Sequence, residues 1–314
     1  MKTYIGIDLG GTFIKYGLVD EEGNILEKGK VPTPAGCGYE ETVRAIADAA
    51  AKLADKKPCG VGIGSPGVID GERGIAVTSG NLGWEKVPLE KDVAALCKLP
   101  VVLTNDANAA AFGECYGGAG KSYRSLVFLT LGTGVGSGIV IDGKLFEGNG
   151  GAGAELGHMV IRTGGERCGC GRRGCYEAYA SASALVKQTK KAMIAHPESK
   201  MWELCEGNAD NADGRTAFDG MRLGDKAAKS VVNKYLGYLA EGIANIINIF
   251  RPETVLIGGG LSAEGETITR PLQRKVNRLI LGHGKYAPVK IRAASLGNDA
   301  GLIGAAMLAK EKGI

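Results

Sequence analysis

No apolar run in this 314-residue chain approaches the ~18 residues that a membrane-spanning helix needs, so no span is expected. Charge of one sign is also lacking. Lys and Arg number 38 against 34 Asp and Glu, a net +4 spread thinly along the chain, which argues against a nucleic-acid binder. Met1 to Asp8 lack the apolar stretch of a secretory leader, and a cytoplasmic location is expected. Aromatic residues are few, at 6%, whereas 51 glycines without a repeat period mark places where backbone must approach something closely. A hydrophobic content of 44% with 23% charged residues excludes a disordered chain, and the length suggests two domains at about 150 residues each. Eight cysteines at this length, with no leader, do not read as disulfides. Three of them crowd at Cys168, Cys170 and Cys175, and crowded thiols in a reducing compartment point to metal.

Along the chain, Tyr4 to Ile7, Phe13 to Val19 and Ile25 to Val31 read as a three-stranded meander. A helix from Glu40 to Ala54 follows, then a buried strand at Cys59 to Gly64 and a loop through Asn81. A short helix is expected at Leu89 to Cys97, a strand at Val101 to Thr104 and a helix at Asn108 to Tyr116. The opening pattern then recurs: strand Ser125 to Thr130, a glycine turn from Leu131 to Gly138, and Ile139 to Ile141 running into the hairpin signal Asp142-Gly143. Duplication of one α/β architecture explains this. Helices at Ala182 to Ala195 and Asp225 to Phe250, strands at Thr254 to Ile257 and Val289 to Ala293, and a last helix from Asp299 complete an α/β alternation.

Some glycine patterns are decoys. Gly62-Ile63-Gly64-Ser65-Pro66-Gly67 fits the dinucleotide fingerprint, but Val68-Ile69-Asp70-Gly71 does not continue as a helix. Gly120-Lys121-Ser122 resembles the end of a P-loop, yet Cys115 stands where its first glycine is required. The two repeated turns are better phosphate sites. In Asp8-Gly10-Gly11-Thr12 and Thr130-Gly132-Thr133-Gly134-Gly136, glycines let backbone N–H groups face an anion, and an acid can hold a metal ion's water; the alternative is two tight hairpin turns. Cys168, Cys170 and Cys175 with His158 offer three thiolates and one imidazole, a closed tetrahedral set suited to structural zinc, with buried reduced cysteines as the alternative. Asn105-Asp106 lies at the carboxyl end of a strand, where open α/β sheets bind ligands, although an N-capping Asp also fits there.

Asp8-Leu9-Gly10-Gly11-Thr12, Leu131-Gly132-Thr133-Gly134-Val135-Gly136 and Ile257-Gly258-Gly259-Gly260 resemble the phosphate and adenosine motifs of the sugar kinase, heat-shock ATPase and actin superfamily. Glu155-Leu156-Gly157-His158 and the segment Cys168 to Glu177 resemble, more narrowly, the ROK family of repressors and sugar kinases, in its bacterial glucokinase branch. The resemblance implies a two-domain α/β fold of ribonuclease-H-like topology with an interdomain cleft. Residues 1–116, joined by the helix at 299–314, would form a small domain with the first phosphate motif. Residues 117–298 would form a large domain with the second phosphate, zinc and adenosine motifs.

It also implies ATP, with Mg²⁺, as phosphoryl donor to O6 of glucose, and Asp106 as general base. Asn81, Asn105, Asp106, Glu155, His158 and Glu177 would bind the sugar. Asp8, Gly10, Gly11, Thr12, Thr133, Gly134, Gly258 and Gly259 would bind the nucleotide, and His158, Cys168, Cys170 and Cys175 the zinc. A homodimer or homotetramer is expected, with no nucleic-acid or membrane partner. N-acetylmannosamine, N-acetylglucosamine or fructose is the alternative sugar. A sugar-sensing repressor is the alternative of another class, disfavoured because only four residues precede Ile5, too few for a helix-turn-helix.

Overall fold

The computed structural model describes residues 1–34 and 36–314 and divides into two compact units. One comprises Met1–Phe128, Ser137–Ala154 and Ala294–Ile314; the other comprises Leu129–Gly136 and Glu155–Ala293. In chain order the first elements are β1 (Thr3–Leu9), β2 (Phe13–Asp20), β3 (Ile25–Pro32), α1 (Tyr39–Ala51), β4 (Val61–Ser65), β5 (Val68–Asp70), β6 (Ile75–Ser79) and β7 (Trp84–Val87). Then come α2 (Leu89–Cys97), β8 (Val101–Asn105), α3 (Asp106–Gly117), β9 (Leu126–Leu131), β10 (Val135–Ile141) and β11 (Lys144–Phe146). The remainder is α4 (Glu177–Ala180), α5 (Ala182–Ala195), α6 (Met201–Leu204), α7 (Thr216–Arg222), α8 (Lys226–Phe250), β12 (Thr254–Gly258), α9 (Glu266–Leu279), β13 (Lys290–Ala293) and α10 (Ala300–Glu311).

The first sheet has the order β3-β2-β1-β4-β8, with β1, β2 and β3 antiparallel and β1, β4 and β8 parallel. The second has the order β11-β10-β9-β12-β13. Strand for strand these are the same arrangement, a hairpin-linked edge followed by returning parallel strands, as a duplication requires. The expected loop through Asn81 is instead a small sheet, β5-β6-β7, whose three- to five-residue strands are interrupted by Gly71, Gly80 and Gly83. The helix expected to reach Ala54 stops at Ala51 and continues as a short 3₁₀ turn, Ala54–Lys56.

Glycine explains how the first unit closes. On β1, Ile5, Ile7 and Leu9 share a core with Ile46 of α1, Leu53 between α1 and its 3₁₀ continuation, and Ile63, Leu89, Val93 and Leu103. The opposite face has Gly6 on β1 and Gly62 on β4, and α10 lies on it. A Cβ on Gly6 would sit 1.9 Å from the Leu302 carbonyl oxygen, and one on Gly62 would sit 1.8 Å from that of Ala305. Between α3 and α10 the fit is as close, with 2.1 Å from Gly113 to the Ala300 oxygen and 1.7 Å from Gly304 to the Ala109 oxygen. No larger residue fits at these four positions without separating the layers. The decoy fingerprint at Gly62 therefore serves packing, and after it the chain turns into β5. Segment 137–154 belongs to this unit because Gly138 closes on α3, where a Cβ would meet the Ala111 Cβ at 2.5 Å.

In the second unit α8 is the long core helix, opened by Asp225, whose carboxylate accepts from the Ala228 N–H at 2.7 Å. It buries Val231, Val232, Tyr235, Leu239, Ile243, Ile246 and Ile247 of the stripe expected from the 3.6-residue period, while Phe250, its last member, is half-buried at the helix end. No helix among the described residues is long and apolar enough to cross a membrane.

Candidate functional site

In the first unit, the β1–β2 hairpin register sets Asp8 opposite Lys15, whose Nζ lies 2.8 Å from Asp8 Oδ2 and 3.4 Å from the Asn298 carbonyl oxygen. The turn between them is held from outside. Thr33 donates through its hydroxyl to the Gly10 oxygen at 2.6 Å and through its N–H to the Thr12 oxygen at 2.9 Å, leaving Gly11 and Thr12 exposed. Lys15 was not among the expected residues. Counting outward from the four-residue turn Gly10-Gly11-Thr12-Phe13, closed by the Gly10 N–H on the Phe13 oxygen, pairs it with Asp8.

β8 runs directly into α3, and Asn105 rather than Asp106 is the N-cap. Asn105 Oδ1 accepts from the N–H groups of Ala107 at 2.8 Å and Asn108 at 3.2 Å, while Nδ2 donates to the Gly67 oxygen at 2.9 Å. The helix therefore begins at Asp106, two residues before the expected Asn108. Asp106 is half-buried over β4, where a Cβ on Gly64 would lie 3.6 Å from its Cα. Burial pushes its carboxyl above the ordinary value and the charge of Asp8 adds to this, against the N–H donated by Ala107. A carboxyl so placed holds a proton more readily than a free aspartate, the property a general base uses. Asn81 sits exposed between β6 and β7. Glu147, also not expected, accepts from the Thr104 hydroxyl at 2.6 Å, one residue before Asn105.

In the second unit, Glu155 and His158 flank one 3₁₀ turn, closed by the His158 N–H donating to the Glu155 oxygen at 3.1 Å. A ribbon from Glu166 to Gly174 carries two of the cysteines: Cys168 N–H donates to the Arg172 oxygen at 2.9 Å and Gly174 N–H to the Glu166 oxygen at 2.8 Å. His158, Cys168, Cys170 and Cys175 bring one ligand atom each to within 4.8 Å of one another. Cys170 and Cys175 sulfurs are 3.7 Å apart, and Cys168 Sγ lies 3.7 Å from His158 Nδ1. Tetrahedral zinc with Zn–S near ~2.3 Å needs sulfur–sulfur edges of about 3.8 Å, so the donor set fits such an ion. Burial pushes the Cys168 thiol up to about 12, and a cation is what would hold it as thiolate at neutral pH. With Nδ1 turned to the sulfurs, His158 Nε2 is left for another partner.

Glu177, at the start of α4, joins this cluster to the β9–β10 turn. One carboxylate oxygen accepts from the Val135 N–H at 3.0 Å and the other from Cys168 Sγ at 3.4 Å. Gly134 leaves room for it, since a Cβ there would meet Glu177 Oε2. Gly259, at φ +78°, backs onto the same turn, where a Cβ would sit 2.5 Å from the Leu131 oxygen. The second unit thus gathers Thr133, Gly134, Gly258 and Gly259 with the cysteine cluster, and the first gathers Asp8, Gly10, Gly11, Thr12, Asn105 and Asp106.

The ROK family model matches residues 4–312. A glucokinase of Streptomyces coelicolor is 41% identical over 319 residues, spanning 99% of this chain and 98% of that protein. One of Thermotoga maritima is 42% identical over 312 residues, covering 98% and 97%. Among solved structures, a ROK family glucokinase from Streptomyces griseus in complex with glucose and AMPPNP superposes with a TM-score of 0.83 at 39% identity, covering 98% of this chain and 99% of that one.

Proposed function

The chain belongs to the ROK family, and from that premise we propose that it is an ATP-dependent glucokinase, transferring the γ-phosphoryl group of ATP to O6 of glucose. The observation that carries this reading is the full-length likeness, in sequence and in fold, to a glucokinase solved with glucose and an ATP analogue. Its two-part α/β architecture is the ribonuclease-H-like fold of the actin and sugar kinase superfamily.

A sugar hydroxyl is a weak nucleophile, and Asp106 accepts its proton and orients it for in-line attack. The raised proton affinity of that carboxyl supports the role. Asn81, Asn105, Glu155, His158 and Glu177 bind the other hydroxyls, carboxylates and amides each accommodating more than one hydrogen bond. The turns at Gly10-Gly11-Thr12 and Thr133-Gly134 present N–H and hydroxyl donors to the phosphates, with Gly258 and Gly259 on the adenosine side. When bound, Mg²⁺ neutralises charge on the β- and γ-phosphates, and Asp8 would hold its water. His158, Cys168, Cys170 and Cys175 would hold a structural zinc ion that fixes the His158 ring for the sugar. Functionally we divide the chain into a base-bearing part, 1–116 with 299–314, and a zinc- and adenosine-bearing part, 117–298. The protein works in the cytoplasm as a homodimer or homotetramer.

A coupled ADP-release assay against a panel of hexoses and N-acetylhexosamines tests the reading. We expect kcat/KM for glucose to exceed that for N-acetylglucosamine or N-acetylmannosamine by at least about 10²-fold, since a pocket built to bond a hydroxyl rejects analogues lacking it. A better rate with either N-acetyl sugar would reassign the substrate.

A further inference from the structure

Glu147 is a half-buried acid that the reaction as described does not use. Its carboxylate accepts from the hydroxyl of Thr104, a residue with 0% exposure in β8, immediately before Asn105 and Asp106. The segment that starts at Glu147 is fastened to the first unit along its length. Gly153 N–H returns to the Glu147 oxygen at 2.8 Å. Gly151 is pressed onto β5, where a Cβ would meet the Ile69 oxygen at 1.7 Å. The Ala154 oxygen accepts from the Ser137 hydroxyl, and Ala154 itself stands at φ +60°, an unfavourable conformation for a residue with a side chain. The next residue is Glu155.

Between these anchors, Gly148, Gly150 and Gly151 all have positive φ, and one 3₁₀ turn, Asn149–Gly151, is the regular structure of the segment. Its starting point is set by the one side-chain bond of Glu147.

We propose that Glu147 is a positioning residue for glucose: through Thr104 it ties the start of the segment leading to Glu155 to the strand that ends in Asn105 and Asp106. The proposal rests on the glucokinase reading and adds a residue to it. Loss of the tie frees the start of the segment and leaves Gly151 and the Ser137–Ala154 bond to set its course into Glu155, which weakens sugar binding and leaves the nucleotide untouched.

The test compares Glu147→Ala, Thr104→Val, their double variant and Glu147→Gln, with KM for glucose and for ATP measured separately and folding checked by thermal melting. Glu147→Ala and Thr104→Val should each raise KM for glucose about tenfold, the effect of one lost buried hydrogen bond. KM for ATP should stay within about twofold. The double variant should be no worse than either single one, because both remove the same interaction. Glu147→Gln keeps an oxygen to accept from Thr104 and should restore most of the affinity. The proposal is overturned if the two KM values rise together, if only the melting temperature falls, or if the single effects add. Should Glu147→Ala fail to fold, Thr104→Val decides by itself: an unchanged KM for glucose overturns the proposal. Failure of the glucokinase reading is a different result, absence of glucose phosphorylation by the unaltered protein.

Discussion

Between β1 and β2 the glycine turn of the first unit carries an acid, Asp8, with Lys15 paired to it across the hairpin; between β9 and β10 the turn of the second unit has no charged residue of its own and borrows one from Glu177. The strand order around the two turns is the same. The same strand order therefore carries different electrostatics at its two turns. The first copy lies near Asp106 and adds to that residue's hold on its proton, whereas the second offers neutral backbone donors, with its carboxylate contact tied back to the cysteine cluster. Under the proposed function, the first turn would act beside the base and the second beside the cysteine cluster and the sugar.

The largest effect expected from this division is at Asp106. Asp106→Asn should lower kcat by about 10² to 10⁴ in an ADP-release assay while glucose binding, read by calorimetry, is weakened but measurable. A variant keeping more than about a tenth of kcat would remove Asp106 from the role of base. Next in size is the metal cluster. Purified protein should contain about one zinc per chain, and Cys168→Ser should lower both zinc content and glucose affinity, the latter by about 10- to 100-fold. Metal analysis finding no zinc in protein prepared without chelators would break the second half of the comparison.

The pH profile sharpens the first half. Because the Asp106 carboxyl is raised above its ordinary 3.8, the acid limb of kcat/KM should lie above that value. Asp8→Asn removes a like charge and should move the limb to lower pH, whatever it does to the maximal rate; a limb that stays put would separate the two carboxylates electrically. Linkage has a matching sign. The folded state binds this proton more tightly than the unfolded one, so stability falls as pH rises through the raised value, and Asp106→Asn should melt higher than the unaltered protein at neutral pH. The smallest effect is at Gly132, where an added Cβ meets nothing within 4 Å. Gly132→Ala should leave the melting temperature within about 2 °C, less than a 1 kcal/mol change produces, yet raise KM for ATP several-fold if phosphate approaches that backbone.

Long periodic elements were legible in the sequence: α2 and α5 begin and end at the expected residues, and the α8 stripe is buried as read as far as Ile247. The small sheet β5-β6-β7 was not, because strands of three to five residues between glycines show too few alternations to stand out from a loop. Helices α6 and α7, at four and seven residues, are likewise too short to display a period. At the candidate site, Asp106 was marked by the strand-to-helix junction, and His158 and the three cysteines by their spacing. Glu147 carried no such mark, since its partner Thr104 lies 43 residues away and only the folded chain brings the two together. Glu114 is similar: fully buried, it accepts from the N–H groups of Ala119, Ser295 and Leu296, and nothing local in the sequence announces that task.

The glycine contacts under α10 also bear on how the protein is made. Synthesis delivers β1 first and α10 last, an interval of roughly 15–60 s at ~5–20 residues per second. Throughout that interval Gly6 and Gly62 form the floor of an open trough, and the first unit waits with half its sheet unroofed while the second already has every strand and helix it needs. The half that emerges first is therefore the last to have all its elements, because the helix that covers Gly6 and Gly62 is the last to be made.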